Sequence, residues 1–185
     1  MGVRIEPVTA ARWADFTALF DSTWVRSCSC MWFRVTGAEM KRMWGPGARE
    51  AMRQIVAADR VPGLLAYDGD EPVAWVSVGP REEFLPRLER SRLLKPAPGE
   101  RVWSVLCFFV KPGHRRQGLA ALLLDAAVDF ARSGGAAAVE GVPVDPGEGR
   151  ADTGTAFVGV AGMFQAAGFT EIDRRGTRPV YRLFL

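Results

Sequence analysis

The feature that most constrains this chain is a turn between a strand and a helix near the middle of the sequence. Residues 101–110 are apolar and rich in β-branched and aromatic side chains, which predicts a central strand. From about Gln117 the apolar residues recur at helical spacing, so the strand leads through a turn into a helix. The first N–H groups of such a helix have no partner in the helix and favour an anion.

The composition of this turn favours a phosphate as the anion. Gly118 and Ala120 are small enough for a pyrophosphate to lie against the backbone, and Arg115 and Arg116 add positive charge beside it. The spacing Arg-x-x-Gly-x-Ala differs from a P-loop, which needs Gly-Lys-Ser/Thr, and from the Gly-x-Gly-x-x-Gly dinucleotide fingerprint.

The remaining pattern alternates strands and helices and predicts one α/β domain over residues 1–185. The stretch 68–71 between two apolar runs predicts a hairpin. Two loops, 79–100 and 143–154, stand out by their length, and the first has one predicted helical turn near residues 84–90. The other predicted strands are 3–8, 63–67, 72–78, 136–142, 169–172 and 180–184, and the other predicted helices are 10–20, two pieces within 36–58, and 156–167.

Charge and cysteine content exclude several classes of protein. The chain has 24 Lys and Arg against 21 Asp and Glu, and a net charge of +3 with no basic stripe gives no specific signal for nucleic acid. Cys28, Cys30 and Cys107 cannot all pair, and His114, the one histidine, cannot complete a usual metal site with them. We therefore predict free thiols and no metal. No signal-like segment or membrane span is evident, which predicts a cytoplasmic protein without a membrane partner.

The turn resembles the signature of the GNAT superfamily of acyl-coenzyme A-dependent N-acyltransferases. The resemblance rests on Val110-Lys111-Pro112, then Arg115, Gly118 and Ala120, and on a later helix-to-strand junction at Gly168-Phe169. It implies a mixed, mostly antiparallel sheet flanked by helices, with a splayed central pair of strands that holds the cofactor.

The resemblance also implies acetyl-coenzyme A as the co-substrate. Its pyrophosphate would lie on the amides from Arg116 to Ala121, and its pantetheine arm on the open edge of strand 103–110 where that strand splays from 136–142. The acyl carbonyl would lie near the N–H groups of Phe108, Phe109 and Val110. The cofactor residues expected from the resemblance are Phe108, Phe109, Val110, Arg115, Arg116, Gln117, Gly118, Leu119, Ala120 and Ala121.

The implied reaction is direct attack of an amine on the thioester, which requires a base. Glu140 lies in an otherwise apolar run, where a carboxylate must be paired or point into a cleft, and Asp145 follows shortly. Both are candidate bases. Phe164 occupies the position at which many family members have a tyrosine acid, so the acid has no candidate. This gap keeps open the alternative of an acyl-coenzyme A-binding sensor or scaffold without turnover.

The acceptor is expected to be a small-molecule or peptide amine whose identity the sequence does not reveal. Trp32 falls where the family builds part of its acceptor wall, and Arg34 is a candidate for holding an acceptor carboxylate. The long loops 79–100 and 143–154 are expected to contribute to acceptor choice, and the terminal strands are candidates for a homodimer interface.

Overall fold

The computed structural model describes residues 2–21, 24–147, 149 and 156–185. Short 3₁₀ turns, at Ala10–Arg12, Trp24–Ser27, Met31–Phe33, Arg81–Glu83, Pro112–His114 and Ala156–Val158, link several of the elements. The strands are β1 (Val3–Pro7), β2 (Gly63–Asp68), β3 (Glu71–Pro80), β4 (Val102–Val110), β5 (Ala138–Gly141), β6 (Thr170–Arg175) and β7 (Arg178–Phe184). The helices are α1 (Trp13–Asp21), α2 (Gly37–Met43), α3 (Pro46–Ala57), α4 (Leu85–Leu88), α5 (Leu119–Ser133) and α6 (Ala161–Ala166).

The strands form one seven-stranded sheet in the order β1-β2-β3-β4-β5-β7-β6. Every neighbouring pair is antiparallel except β4 and β5, which are parallel and are connected through α5. The predicted fold class, a mixed and mostly antiparallel sheet with flanking helices, is confirmed, as is the predicted hairpin between β2 and β3.

The parallel strands β4 and β5 pair over only three residues. Val102, Trp103 and Ser104 of β4 lie opposite residues 138–140, and the two strands part beyond this point. The pairing of β3 with β4 shifts register between Leu106 and Phe109, just beyond the point where β4 and β5 part. Cys107, within this shift, has a φ of 52°. Such a bulge bends a strand. The splayed strand pair leaves one edge of β4 open from residue 105 to residue 110.

Helices cover both faces of the sheet because side chains alternate along each strand. On one face Val76 and Val105 pack with the buried side of α5, which includes Leu123 and Ala127. On the other face Trp75 packs with α1 and α3 in a second core. No helix in the described ranges is long and apolar enough to cross a bilayer.

Two local predictions differ from the structure. The predicted helix over 156–167 is interrupted, since Gly159 has a φ of 83° between the 3₁₀ turn Ala156–Val158 and α6. Val160 instead forms a parallel bridge with Val144, which anchors the chain beside the open edge of β4. The predicted helix over 10–20 begins instead as a 3₁₀ turn at Ala10–Arg12 and continues as α1 only from Trp13.

Candidate functional site

A cavity of about 920 Å³ lies between the open edge of β4, the beginning of α5 and a group of apolar side chains on the other side. Its lining includes Phe108, Phe109 and Val110 of β4 and Gly118 of the turn. The cavity therefore joins the two places to which the sequence assigned a cofactor.

The turn before α5 presents a run of unbonded N–H groups. The backbone N–H groups of residues 116–120 donate to no acceptor in the described part of the chain, and we call these five groups the cradle. The N–H of Ala121, in contrast, donates to the carbonyl of Gly118 at 3.0 Å. Consecutive free N–H groups at the positive end of a helix form a site for an anion such as a phosphate.

Left-handed backbone at two positions shapes the cradle. Arg116 has a φ of 62° and Gly118 a φ of 81°, and Gly118 is the residue that caps α5. A β-carbon at Gly118 would meet no heavy atom within 4 Å, so the backbone there is open to the cavity rather than packed against protein. Glycine suits this position because it adopts positive φ without strain and leaves room for a ligand.

The polar side chains of the turn make different contacts. The Arg115 Nε donates to the carbonyl of Val110 at 3.0 Å, which fixes that side chain on the end of β4. Arg116 is exposed and forms no ion pair with a described residue, so it is free to meet an anion. The Gln117 side chain donates to the carbonyl of Gly113 and does not line the cavity. Leu119, Ala120 and Ala121 do line it.

His114 lies at the same end of the cavity. Its Nε2 is 3.7 Å from the carboxylate of Asp68, and its Nδ1 is buried with no hydrogen-bond partner in the described chain. The histidine thus adds a further polar group beside the cradle.

Apolar side chains from separate segments also line the cavity. Trp32 and Trp44 are its most exposed members, with 37% and 51% of their surface accessible, and their rings meet edge to face at 6.5 Å. We refer to this surface as the apolar wall; it comprises Val25, Cys28, Trp32, Phe33, Trp44 and Phe157.

Three free cysteines line the cavity, and one of them, Cys28, belongs to the apolar wall. The Cys30 and Cys107 sulfurs are 3.1 Å apart, and Cys28 lies close enough to Cys107 to interact electrostatically. Burial, more than the neighbouring thiol, raises the pKa of Cys28 to about 11 and raises the pKa of Cys30. The thiols of Cys28 and Cys30 are therefore protonated at neutral pH. In the described ranges no cluster of His, Cys, Asp or Glu is placed to hold a metal ion.

Glu140 lies in β5 with only 3% of its surface exposed, and it does not line the cavity. The Arg182 guanidinium forms an ion pair with its Oε2, and the Ala97 N–H donates to its Oε1 at 3.4 Å. Such a pairing satisfies a buried carboxylate. The prediction that Glu140 is the catalytic base finds no support in this placement, because the carboxylate is engaged by protein donors.

Asp145 also lies outside the cavity lining. Its carboxylate accepts from the Gly147 N–H at 3.1 Å and from Arg174 at 3.0 Å. The Gly147 hydrogen bond, followed by that of Arg174, holds the pKa of Asp145 below its usual range. Both interactions favour the charged form, so the carboxylate is a weak proton acceptor.

The structure separates the two predicted acceptor residues. Trp32 lies in the apolar wall, whereas Arg34 is buried and its guanidinium pairs with Glu83 and donates to the Pro62 carbonyl at 2.8 Å. Arg34 therefore already has a carboxylate partner within the chain. Its guanidinium also lies over the Phe84 ring, away from the cavity.

Phe164 is fully buried in the core that joins α6 to the sheet. Its ring packs edge to face on Phe169 at 5.0 Å and lies close over Gly141, where a β-carbon would be 2.6 Å from the ring Cζ. The residue at the position of the family's tyrosine acid is therefore a packing residue. Met163, the neighbouring residue, lines the cavity.

The sequence reasoning missed Trp44, Val25 and Phe157 of the apolar wall. Trp44 precedes Gly45-Pro46-Gly47, and an indole at a helix end beside such a breaker is a signal for an exposed aromatic residue. Val25 and Phe157 carry no comparable signal, because their role depends on how distant segments meet.

Comparisons with known proteins agree on one family. A family model described as "Acetyltransferase (GNAT) family" matches residues 29–169. The PaiA N-acetyltransferase of Thermoplasma acidophilum, solved with coenzyme A, is 10% identical with a TM-score of 0.57 over 100% of both chains. A GCN5-related N-acetyltransferase of Kribbella flavida is 18% identical with a TM-score of 0.56, over 99% of this chain and 98% of that one.

A chain of the NatC complex bound to Gag peptide and coenzyme A is 12% identical, with a TM-score of 0.56 over 100% of this chain and 99% of that one. No curated protein matches the sequence. At such low identities these structural likenesses show the fold, and the family model shows the family.

Proposed function

This chain belongs to the acetyltransferase (GNAT) family, and we propose that it is an N-acetyltransferase that moves the acetyl group of acetyl-coenzyme A to an amine. The observation that carries the proposal is the cradle, whose free N–H groups open into a cavity that continues along the open edge of β4. A cytoplasmic location and a homodimer remain predictions.

The fit of coenzyme A rests on this chain's own donors. The cradle supplies five N–H groups for the pyrophosphate, and Arg116 adds an unpaired positive charge beside them. The open edge of β4 supplies unpaired backbone groups for the amides of the pantetheine arm. The bulge in β4 at Cys107 and Phe108 interrupts the pairing with β3, which supports backbone N–H groups of this part of β4 as donors to the acyl carbonyl.

Acetyl-coenzyme A supplies an activated acyl group as a thioester. The amine nitrogen forms a bond to the acyl carbon, the carbon–sulfur bond breaks, the nitrogen loses a proton and the departing thiolate takes one up. No carboxylate is among the described residues that line the cavity, so we assign removal of the amine proton to water. The apolar wall favours the neutral amine that attack requires, because it offers a charged ammonium little solvation.

A bulky side chain in the cradle tests the proposal. Gly118→Gln places a side chain in the ligand space and strains a backbone with a φ of 81°, so we expect acetyl-coenzyme A affinity to fall more than about tenfold. Gly135→Gln is the matched control, since Gly135 has a φ of 77°, equally open surroundings and a position at the other end of α5. Calorimetric titration with acetyl-coenzyme A measures both variants.

The control variant should bind acetyl-coenzyme A as the unmodified protein does, at a comparable cost in stability. Undiminished affinity of folded Gly118→Gln would contradict the cradle as the pyrophosphate site and remove the main support for the proposal.

A sensor without turnover is the second candidate function. The observation in its favour is that Glu140 and Asp145 are engaged by Arg182 and Arg174, while Phe164 is a packing residue. The released thiol of coenzyme A, measured above the hydrolysis background with a broad panel of amines, separates the two candidates. Release with any amine supports the enzyme, and tight binding with no release supports the sensor.

A further inference from the structure

We propose that the acceptor is a small amine that carries both a bulky apolar group and an anionic group, and that Trp32, Trp44 and Arg87 select it. This inference deepens the proposed function and rests on it. The evidence is the apolar wall together with a second, smaller cavity of about 470 Å³ that shares Trp32 and Trp44 with the main one.

The two indoles are exposed at a concave surface. Trp32 and Trp44 keep 37% and 51% of their surface accessible, whereas Trp75 in the core is fully buried. The apolar surface of a large aromatic side chain that is exposed in a cavity is removed from water only when an apolar ligand covers it, and this removal is favourable. Because these indoles also line the second cavity, which no residue of the cradle lines, the covering ligand is the second substrate rather than the nucleotide part of coenzyme A.

The second cavity adds positive charge on the other side of the indoles. Lys41 and Arg87 line it, and neither forms an ion pair with a described residue. Arg34 and Arg49, in contrast, are paired with Glu83 and Asp21. Two unpaired cations beside an aromatic surface favour a carboxylate or a similar anion.

Arg87 is also held in place by one of the indoles. Its guanidinium carbon lies 4.3 Å from the centre of the Trp32 ring. A guanidinium stacked on an aromatic face keeps its edge N–H groups available for a planar anion. The same two residues thus offer a face for an apolar group and donors for an anionic one.

The arrangement disfavours polyamines. A second ammonium group on the acceptor would meet Lys41 and Arg87 rather than a carboxylate, and like charges repel. A long acyl chain on the donor is the other apolar group that would cover the apolar wall, and a series of donors tests this alternative.

The substrate series uses phenylalanine, 2-phenylethylamine, alanine and spermidine with acetyl-coenzyme A, and kcat/KM from thiol release as the readout. Phenylalanine has the ring and the carboxylate, and each of the next two lacks one of them. We expect phenylalanine to exceed each of the other three by at least about tenfold. Equal or higher values for alanine or spermidine would overturn the inference.

Two variants assign the selectivity to the named residues. Arg87→Gln should reduce the preference for phenylalanine over 2-phenylethylamine several-fold, and Trp44→Ala should reduce the preference for phenylalanine over alanine. Arg90→Gln is the control, because Arg90 lies on the same segment as Arg87 but lines neither cavity. An unchanged preference in Arg87→Gln and Trp44→Ala would contradict the assignment.

The series of donors runs from acetyl- to octanoyl-coenzyme A, and kcat/KM is measured for each donor with the same amine. Acetyl-coenzyme A should remain the best donor, and a rise in kcat/KM with chain length would assign the apolar wall to the donor and overturn the inference.

A binding measurement distinguishes failure of this inference from failure of the proposed function. N-acetylphenylalanine should bind to the protein with coenzyme A more tightly than N-acetylalanine, and Arg87→Gln should weaken it, whether or not the protein turns over. If no amine releases thiol but this preference holds, the enzyme proposal fails and the pocket assignment stands. If thiol is released but the preference is absent, only the pocket assignment fails.

Discussion

The buried ion pairs and the cavity use polar groups in opposite ways. Glu140–Arg182 and Glu83–Arg34 are charges whose partners come from within the chain, and neither pair lines the cavity. The cradle, in contrast, is made of neutral backbone groups that have no partner in the described chain. Groups that the fold satisfies stabilise the fold, and groups that it leaves unsatisfied are available to a ligand.

This difference separates stability from binding. Changes in the ion pairs should alter the free energy of unfolding and leave ligand affinity in the folded protein unchanged. Changes in the cradle should lower ligand affinity in the folded protein, whatever they do to the free energy of unfolding.

The largest expected effect follows from removing one partner of a buried pair. Arg182→Met leaves the Glu140 carboxylate without its cation, and we expect the free energy of unfolding to fall by about 3–5 kcal/mol. Urea denaturation at pH 7 measures it. Arg132→Met is the control, because the Arg132–Asp129 pair is exposed and should contribute about 0–1 kcal/mol.

The same pair tests whether Glu140 has a catalytic role. Glu140→Gln should leave kcat per folded molecule nearly unchanged if the carboxylate only pairs with Arg182. A loss of kcat of about a hundredfold or more, with unchanged acetyl-coenzyme A affinity, would make Glu140 the base after all.

The thiol of Cys28, in the apolar wall, tests how burial changes a pKa. Since burial raises the pKa of Cys28 from 9.0 to about 11, its thiolate fraction at pH 8 is about a hundredfold below that of an unperturbed thiol. Iodoacetamide labelling of this residue, followed by mass spectrometry, should be slow at pH 8. Its rate should continue to rise towards pH 11 instead of levelling near pH 9, and a plateau near pH 9 would contradict the shift.

A hydroxyl group added to the core at Phe164 should have a smaller effect on the free energy of unfolding. Phe164→Tyr adds a hydroxyl at the Cζ that packs over Gly141, in a fully buried position. We expect a loss of about 1–3 kcal/mol in stability and no gain in rate, because the hydroxyl is buried away from the cavity. A thermal denaturation curve and kcat give the answer, and a rise in kcat would show that the hydroxyl reaches the thiolate.

The smallest expected effect concerns a single side chain at the cradle. Arg116→Ala removes one free cation but none of the five N–H groups, so we expect acetyl-coenzyme A affinity to fall only about fivefold. Calorimetry at two salt concentrations should show the difference shrinking as salt rises, because Arg116 is exposed. Arg132→Ala, at the far end of α5, should bind acetyl-coenzyme A normally, and a larger loss than in Gly118→Gln would contradict a cradle made chiefly of backbone.

The cradle and the sheet could be predicted from the sequence because their signals are local. A strand, a turn with Gly118 and an amphipathic helix follow one another within about thirty residues of this sequence, and alternation of apolar residues reveals the strands. The break in the helix after residue 156 was missed, because Gly159 alone does not reveal that its φ is positive.

The partners of buried charges and the apolar wall could not be predicted. Glu140 stands out in an apolar run, but its partner Arg182 is 42 residues away and meets it only across the β5–β7 ladder. Arg34 similarly pairs with Glu83, which is 49 residues away in the sequence. The wall joins Trp32, Trp44 and Phe157, which lie on separate segments, and no spacing in the sequence encodes that meeting.

The uneven distribution of tryptophan gives this protein a built-in optical reporter. Trp32 and Trp44 are exposed at the apolar wall, and the described residues of the cradle include no indole. A molecule that covers the wall should shield these two fluorophores from a soluble quencher such as acrylamide, whereas occupation of the cradle alone leaves them open to it. Acrylamide quenching of the native chain's emission therefore reports occupation of the wall and not of the cradle, without an attached dye.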